Sequence, residues 1–203
     1  EWPLEFRYYD EIPESIIQFL GNKIEYHKVE QFIFYRQWQK IKSYAKSKNI
    51  GIIGDMPIYV SYDSVDVWRN PELFQLNDML EPVAVAGVPP DFFSENGQLW
   101  GFPLYDWSYH EKTNFAWWTQ RTRHMFELYD LVRFDHFRGI EAYWSTPAEE
   151  LTARKGKWNK AHPGTRNLKN FALPMILCNL ALEIEPLLDE KFLNRTIETC
   201  IQE

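Results

Sequence analysis

Residues 131–139 read LVRFDHFRG, an apolar run that ends abruptly in Arg133, Asp135, His136 and Arg138. A barrel enzyme presents a carboxylate in a polar cleft from the C-terminal end of such a strand. Arg133 and Asp135 are two residues apart, so on a strand both side chains leave from the same face. A fixed cation beside a carboxylate keeps it ionised and aims it, which suits a nucleophile better than a general acid. A purely structural Asp–Arg pair at a strand end is the competing reading of these residues.

Working outward, residues 114–129 (NFAWWTQRTRHMFELY) have helical period and lead directly into this strand. Earlier in the chain, Val29, Phe32, Ile33, Ile41, Tyr44 and Ala45 recur near a 3.6 period, with Lys and Gln between them. That pattern predicts an amphipathic helix over 26–48. Asn49 ends it, and a buried strand is expected over 50–60, through GIIGDMPIYV. Two helix–strand units predict an α/β fold. Residues 61–107 carry Pro71, Pro82, Pro89, Pro90 and Pro103 and read as a long loop, which in a compact domain points to function. Residues 140–170 read as a second surface excursion, and those from 171 onward as a helix, or a strand plus helix.

The chain has 203 residues with 22 basic and 29 acidic side chains, a net charge of -7. That balance argues against nucleic acid or an anionic membrane surface as the main partner. No stretch approaches the ~18–20 apolar residues of a membrane span, and EWPLEFRYYD has no signal-peptide pattern. Cys178 and Cys200 form neither a metal motif nor a disulfide framework, and a cytoplasmic location is expected. His27, His110, His124, His136 and His162 are scattered without ligand spacing, so no metal and no cofactor are expected. The 9 Trp, 11 Tyr and 14 Phe make the chain unusually aromatic. Aromatic faces stack on sugar rings, and with an acidic chain a sugar partner leads.

Three motifs then carry a resemblance: GDMPIYVSYDSVDVWRNPELF at 54–74, VAGVPPDFFSENGQLWGFPLYDW at 85–107 and LVRFDHFRGIEAYWSTPA at 131–148. In this order they resemble the 4-α-glucanotransferases of the amylomaltase type, glycoside hydrolase family 77. The helix with FIFYRQWQKIKSYAKSKNI is also similar to that family. The resemblance implies a (β/α)8 TIM barrel with long loop insertions, of which this chain covers the middle. Residues 1–160 are read as family-like and 161–203 as a divergent C-terminal segment of one partial catalytic domain. The implied activity is transfer of α-1,4-glucan segments between maltodextrins, with retention of configuration and without a cofactor.

Carried over by motif, Asp135 matches the nucleophile and Arg133 the arginine that holds it. His136 matches a residue that hydrogen-bonds sugar hydroxyls. Asp55 receives a supporting role in binding or in the hydrogen-bond network, with a strand-end turn residue as the equal alternative. The loop VPPDFFSENGQLWG resembles one that arches over the glucan, with Asp91, Gln98 and Trp100 as its contacts. Tyr59 joins the substrate-binding set by motif, although Tyr59, Trp107 and Trp144 are expected to pack first, and at least one of Trp117 and Trp118 is expected in the core.

Some features depart from the family. Phe102 stands where the motif G-N-P-L-Y has asparagine. The A-E-D-L-G motif that supplies the proton donor is missing after LPMI at 173–176, and Glu183 and Glu185 lack its pattern. Glu141 lies beyond the strand end and is rejected as its replacement. The chain alone is therefore expected to be inactive, with a non-catalytic glucan-binding module as the alternative. Unpaired barrel edges are expected to favour self-association.

Overall fold

A computed structural model describes Pro3 and residues 6–161. Expectations for 171 onward, Glu183 and Glu185 among them, lie outside the described residues. Along the chain run α1 (Glu14–Phe19), α2 (Gly21–Ser47), β1 (Ile53–Met56), α3 (Val65–Arg69), β2 (Ala84–Val88) and β3 (Gln98–Pro103). Then follow α4 (Trp107–Lys112), α5 (Ala116–Leu128), β4 (Leu131–Phe134), β5 (Ala142–Pro147) and β6 (Lys157–Lys160). The unit is mixed α/β. No helix among the described residues is long and apolar enough to cross a membrane.

Two sheets divide the strands. β1 and β4 form a parallel pair with Ile53 opposite Leu131, Gly54 opposite Val132, Asp55 opposite Arg133 and Met56 opposite Phe134. A second, antiparallel sheet has the order β3-β2-β5-β6. This sheet corrects the reading of 61–107 and 140–170 as loops, because all four of its strands come from those stretches. β1 is also shorter than the expected 50–60. Its last paired residue is Met56, and Pro57, which follows, has no N–H to continue a ladder.

The core gathers around Tyr105, which is 1 % exposed. Its ring packs against Phe74, Trp118, His110, Trp107 and Trp117 at centroid distances of 5.0–5.7 Å and stacks on Tyr59 at 5.9 Å. Its hydroxyl donates to the Ile58 carbonyl at 2.6 Å, so the polar tip of the core ring is satisfied. Of the two tryptophans in α5, Trp118 is the buried one. Ile58, Ala86, Leu104 and Tyr143 complete a core fed by both sheets.

α2 departs from the expectation in a different way. The helix forms, but none of its residues is buried, and Val29, Phe32, Ile33, Ile41 and Tyr44 are all exposed. Its contact with the rest of the unit runs through a polar edge. The Trp38 indole donates to the Leu128 carbonyl, and Lys42 Nζ donates to the carbonyls of Phe126, Glu127 and Tyr129. A cation placed on the last carbonyls of α5 suits the negative end of that helix. The junction between α5 and β4 is thereby pinned just before the site strand.

His110 sits in the aromatic core fully buried, and neither ring nitrogen has a hydrogen-bond partner. Burial holds its pKa below the ordinary 6.5, against the opposing pull of the Leu73 carbonyl and Asp106. A lowered folded-state pKa means that its stabilising effect is complete above the unfolded value and is lost as pH falls through it. Urea midpoints measured from pH 8 to 5 are expected to drop below pH 6.5, and His110→Phe is expected to flatten that drop. His136, also lowered by burial, contributes in the same direction.

Candidate active site

The parallel register brings β1 and β4 out at the same end, and this is what builds the site. Asp55 lies directly opposite Arg133. The guanidinium donates through Nε to Asp55 Oδ1 and through a terminal nitrogen to Asp55 Oδ2, both at 2.8 Å. This is the two-pronged arrangement that suits a planar fork and a carboxylate. The same terminal nitrogen lies 3.6 Å from Asp135 Oδ1, an ion-pair contact without hydrogen-bond geometry. Arg133 therefore spans two carboxylates, and its tighter hold is on Asp55. Hydrogen bonding to Arg133 keeps the Asp55 carboxyl below its ordinary 3.8. All three side chains are more than half exposed, so the cluster is a charged surface and not a buried network, and Asp135 is its member that lines the cleft.

Asp135 follows the last residue of β4, and its N–H still donates to the Met56 carbonyl at 3.0 Å. His136 then turns the chain with φ 51°, in the left-handed region. The turn closes on Gly139, where any Cβ would fall 2.5 Å from Ile58 Cδ1. This tight seat fixes the His136 ring, whose pKa burial lowers below the ordinary 6.5, with Arg138 assisting and Asp135 opposing. A neutral imidazole can both donate to and accept from a hydroxyl. The ring meets the Trp100 indole edge-on at 4.9 Å.

An open cleft of about 690 Å³ joins Asp135 and His136 to Tyr59, Gln98 and Trp100. Tyr59 is buried, stacked on Tyr105, with its ring 6.1 Å from Trp100. Burial first, and then Tyr143, pushes its hydroxyl well above the ordinary tyrosine range. The Trp100 indole donates to Gln98 Oε1 at 3.1 Å, which ties the two loop contacts to each other across one strand.

Of the predicted site residues, Asp135, His136, Tyr59, Gln98 and Trp100 line this cleft, while Arg133 and Asp55 stand beside it through the contact with Asp135 and Asp91 lies away from it. Its Oδ1 accepts from the backbone N–H of Phe93 and of Ser94, so the carboxylate shapes its own turn. Beside it Phe92 and Phe93 are almost wholly exposed and meet edge-on. Gly97 takes φ 67° in the return of this loop, where a Cβ would strike the Val88 carbonyl. Glu141 does not line the cleft either.

The cleft also includes Phe102, the residue that departs from the family motif, and Ser61, Ser64, Asp66 and Arg121, to which the sequence reading gives no site role. Ser61, Ser64 and Asp66 had a signal: they fall within the first motif, in SYDSVD just after β1. Arg121 had none, because it is one of several cations on a helix. Among the described residues no cluster of three or more His, Cys, Asp or Glu could hold a metal.

The comparisons agree on the family. A family model described as 4-alpha-glucanotransferase, glycoside hydrolase family 77, matches residues 1–176. A 4-alpha-glucanotransferase of Aquifex aeolicus is 50% identical over 172 residues, covering 84% of this chain and 35% of the relative. One of Clostridium butyricum is 54% identical over 155 residues, covering 76% and 30%. The structure of an amylomaltase from Streptococcus agalactiae in complex with acarbose superposes with a TM-score of 0.76 at 46% identity, over 85% of this chain and 34% of that one. The chain thus spans about a third of the length of these relatives. With a matching model over most of its residues, this chain belongs to the 4-alpha-glucanotransferase family, glycoside hydrolase family 77.

Proposed function

We propose that this chain is the nucleophile-bearing part of a 4-α-glucanotransferase catalytic domain, with β1 and β4 as neighbouring strands of a (β/α)8 barrel. The observation that carries the reading is the Asp135 carboxylate beside Arg133, in a cleft lined by Tyr59, Trp100 and His136. In a retaining transfer Asp135 attacks the anomeric carbon of an α-1,4-glucan and the glycosidic C–O bond breaks. A second carboxyl group about 5–5.5 Å away protonates the leaving oxygen and then deprotonates the acceptor hydroxyl. Arg133 lies beside Asp135 while its two hydrogen bonds go to Asp55, which leaves the Asp135 oxygens open to the sugar. His136 and Gln98 offer hydroxyl partners, and Trp100 a ring face.

Asp55 is unsuited to the proton-donor role, because Arg133 holds it ionised. That favours glucan binding without transfer for the isolated chain. The amylomaltase with 46% identity is described in complex with acarbose, which supports a maltodextrin-like ligand for this cleft. Among the described residues no further strand pairs with β1 or β4, which supports self-association of the isolated chain.

Titrating the purified chain with maltotriose and following tryptophan fluorescence tests the reading. Saturable binding is expected, and Trp100→Ala is expected to weaken it about tenfold or more, given the ~1.5–3 kcal/mol carried by burying one large apolar side chain. Absence of any saturable maltotriose response in the wild-type chain would sink the glucan reading.

A further inference from the structure

We infer that Arg121, on α5, is a positioning residue that clamps the turn after β1 and so sets Tyr59 in the cleft. The inference rests on reading that cleft as a glucan site. It starts from a gap in the backbone ladder. β1 stops pairing at Met56, yet the next residues, Pro57 to Val60, line the cleft. Ile58 is buried, and its carbonyl needs a partner, since an unpaired buried carbonyl is costly.

Side chains supply that partner. One terminal nitrogen of Arg121 donates to the Pro57 carbonyl at 2.6 Å and the other to the Ile58 carbonyl at 3.1 Å. The Tyr105 hydroxyl donates to the same Ile58 oxygen. Two successive carbonyls held by the two prongs of one guanidinium fix a peptide plane, which a single ammonium cannot do. The guanidinium itself is held by two indoles, with its carbon 5.2 Å from the Trp117 ring centroid and 5.4 Å from that of Trp118. Both indoles lie within one turn of Arg121 on α5, so they orient the fork before it reaches across.

What the clamp holds is the residue next along the chain. Tyr59 follows Ile58, and its ring touches both Tyr105 and Trp100, which in turn meets His136. The line from Arg121 to the sugar-facing rings therefore passes through two backbone carbonyls. Arg121 lines the cleft as well, but its two terminal nitrogens are engaged by protein, which separates positioning from direct ligand contact.

The test uses the full chain with Arg121→Ala and Arg121→Lys. Backbone amide exchange is read by mass spectrometry on peptides covering 56–64, with peptides from β2 and β5 as the internal control. Exchange over 56–64 is expected to quicken about tenfold in Arg121→Ala, the loss of two hydrogen bonds to a charged donor, with the control peptides unchanged. Maltotriose affinity is expected to fall about tenfold alongside it. Guanidinium ion, added well below the concentration that unfolds the wild type, is expected to slow exchange over 56–64 again, and Arg121→Lys is expected not to restore it. Unchanged exchange over 56–64, or equal acceleration in every peptide, would overturn the clamp. If Arg121→Ala does not fold, Arg121→Lys, which keeps the charge and the stem, decides the same comparison. A wild-type chain that binds no maltotriose would remove the glucan reading, while the exchange result still decides whether Arg121 holds the turn.

Discussion

Maltotriose incubated with the purified 203-residue chain is expected to be recovered unchanged, with neither free glucose nor longer maltodextrins. The expectation follows from which half of the chemistry is on the chain. On the proposed reading Asp135 supplies the attack on the anomeric carbon, but an alkoxide leaving group departs slowly without a proton. Loss of general acid catalysis costs about 10²–10⁴-fold in rate. Asp55 cannot fill the gap while Arg133 keeps its pKa below 3.8. Glu141 stands outside the cleft. The family's A-E-D-L-G sequence does not occur in the chain. Products resolved by length, with glucose assayed separately, decide the matter. A ladder of maltodextrins at a rate typical of a complete enzyme would mean that another carboxyl group protonates the leaving oxygen.

The second large effect is on stability. Gly87 lies on β2, which is paired on both sides, with Leu99 of β3 and Trp144 of β5 opposite. A Cβ added there would stand 2.3 Å from the Gln98 carbonyl oxygen. A backbone oxygen within a sheet cannot rotate aside as a side-chain tip can, so the β2–β3 register itself must give. Gly87→Ala is expected to cost about 3 kcal/mol or more, at the severe end of single substitutions. For a unit of this size that is a fall in Tm of roughly 6–12 °C. Gly101→Ala is the comparison. It also sits in a sheet strand, with φ 75°, but nothing lies within 4 Å of its would-be Cβ. Only the left-handed backbone penalises it, by roughly 1–2 kcal/mol. Thermal melts of the two variants separate steric collision from backbone strain, and equal shifts would contradict the assignment.

Periodicity made α2, α5 and β4 legible, because each is long or leads into a charged cluster that marks its end. The second sheet escaped for physical reasons. β2 is five residues of AVAGV wedged between prolines, and β6 is KWNK, mostly exposed and polar. Neither alternates clearly, and both depend on cross-strand partners, with β2 joined to β5 some sixty residues on and β6 resting on β5 alone. The α2 stripe was read correctly as helical, but periodicity says nothing of whether a partner covers it. At the site, the Arg133–Asp135 spacing made the ion pair legible within one strand. That Arg133 bonds chiefly to Asp55 could not be read from spacing, since it depends on the β1–β4 register. Arg121 was invisible for the same reason: its partners are carbonyls, which sequence does not label.

The pairing of β1 with β4 also has a consequence in time. Asp55 and Arg133 are 78 residues apart in the chain. At about 5–20 residues per second, a ribosome needs roughly 4–16 s to deliver Arg133 after Asp55. Throughout that interval the nascent chain carries β1 with neither its ladder nor its counter-charge. β2, β3 and the aromatic core residues around Tyr105 are all delivered within it. The Asp55–Arg133 contact therefore closes onto a ring cluster around Tyr105 whose parts have already emerged, while Tyr143, β5 and β6 follow it.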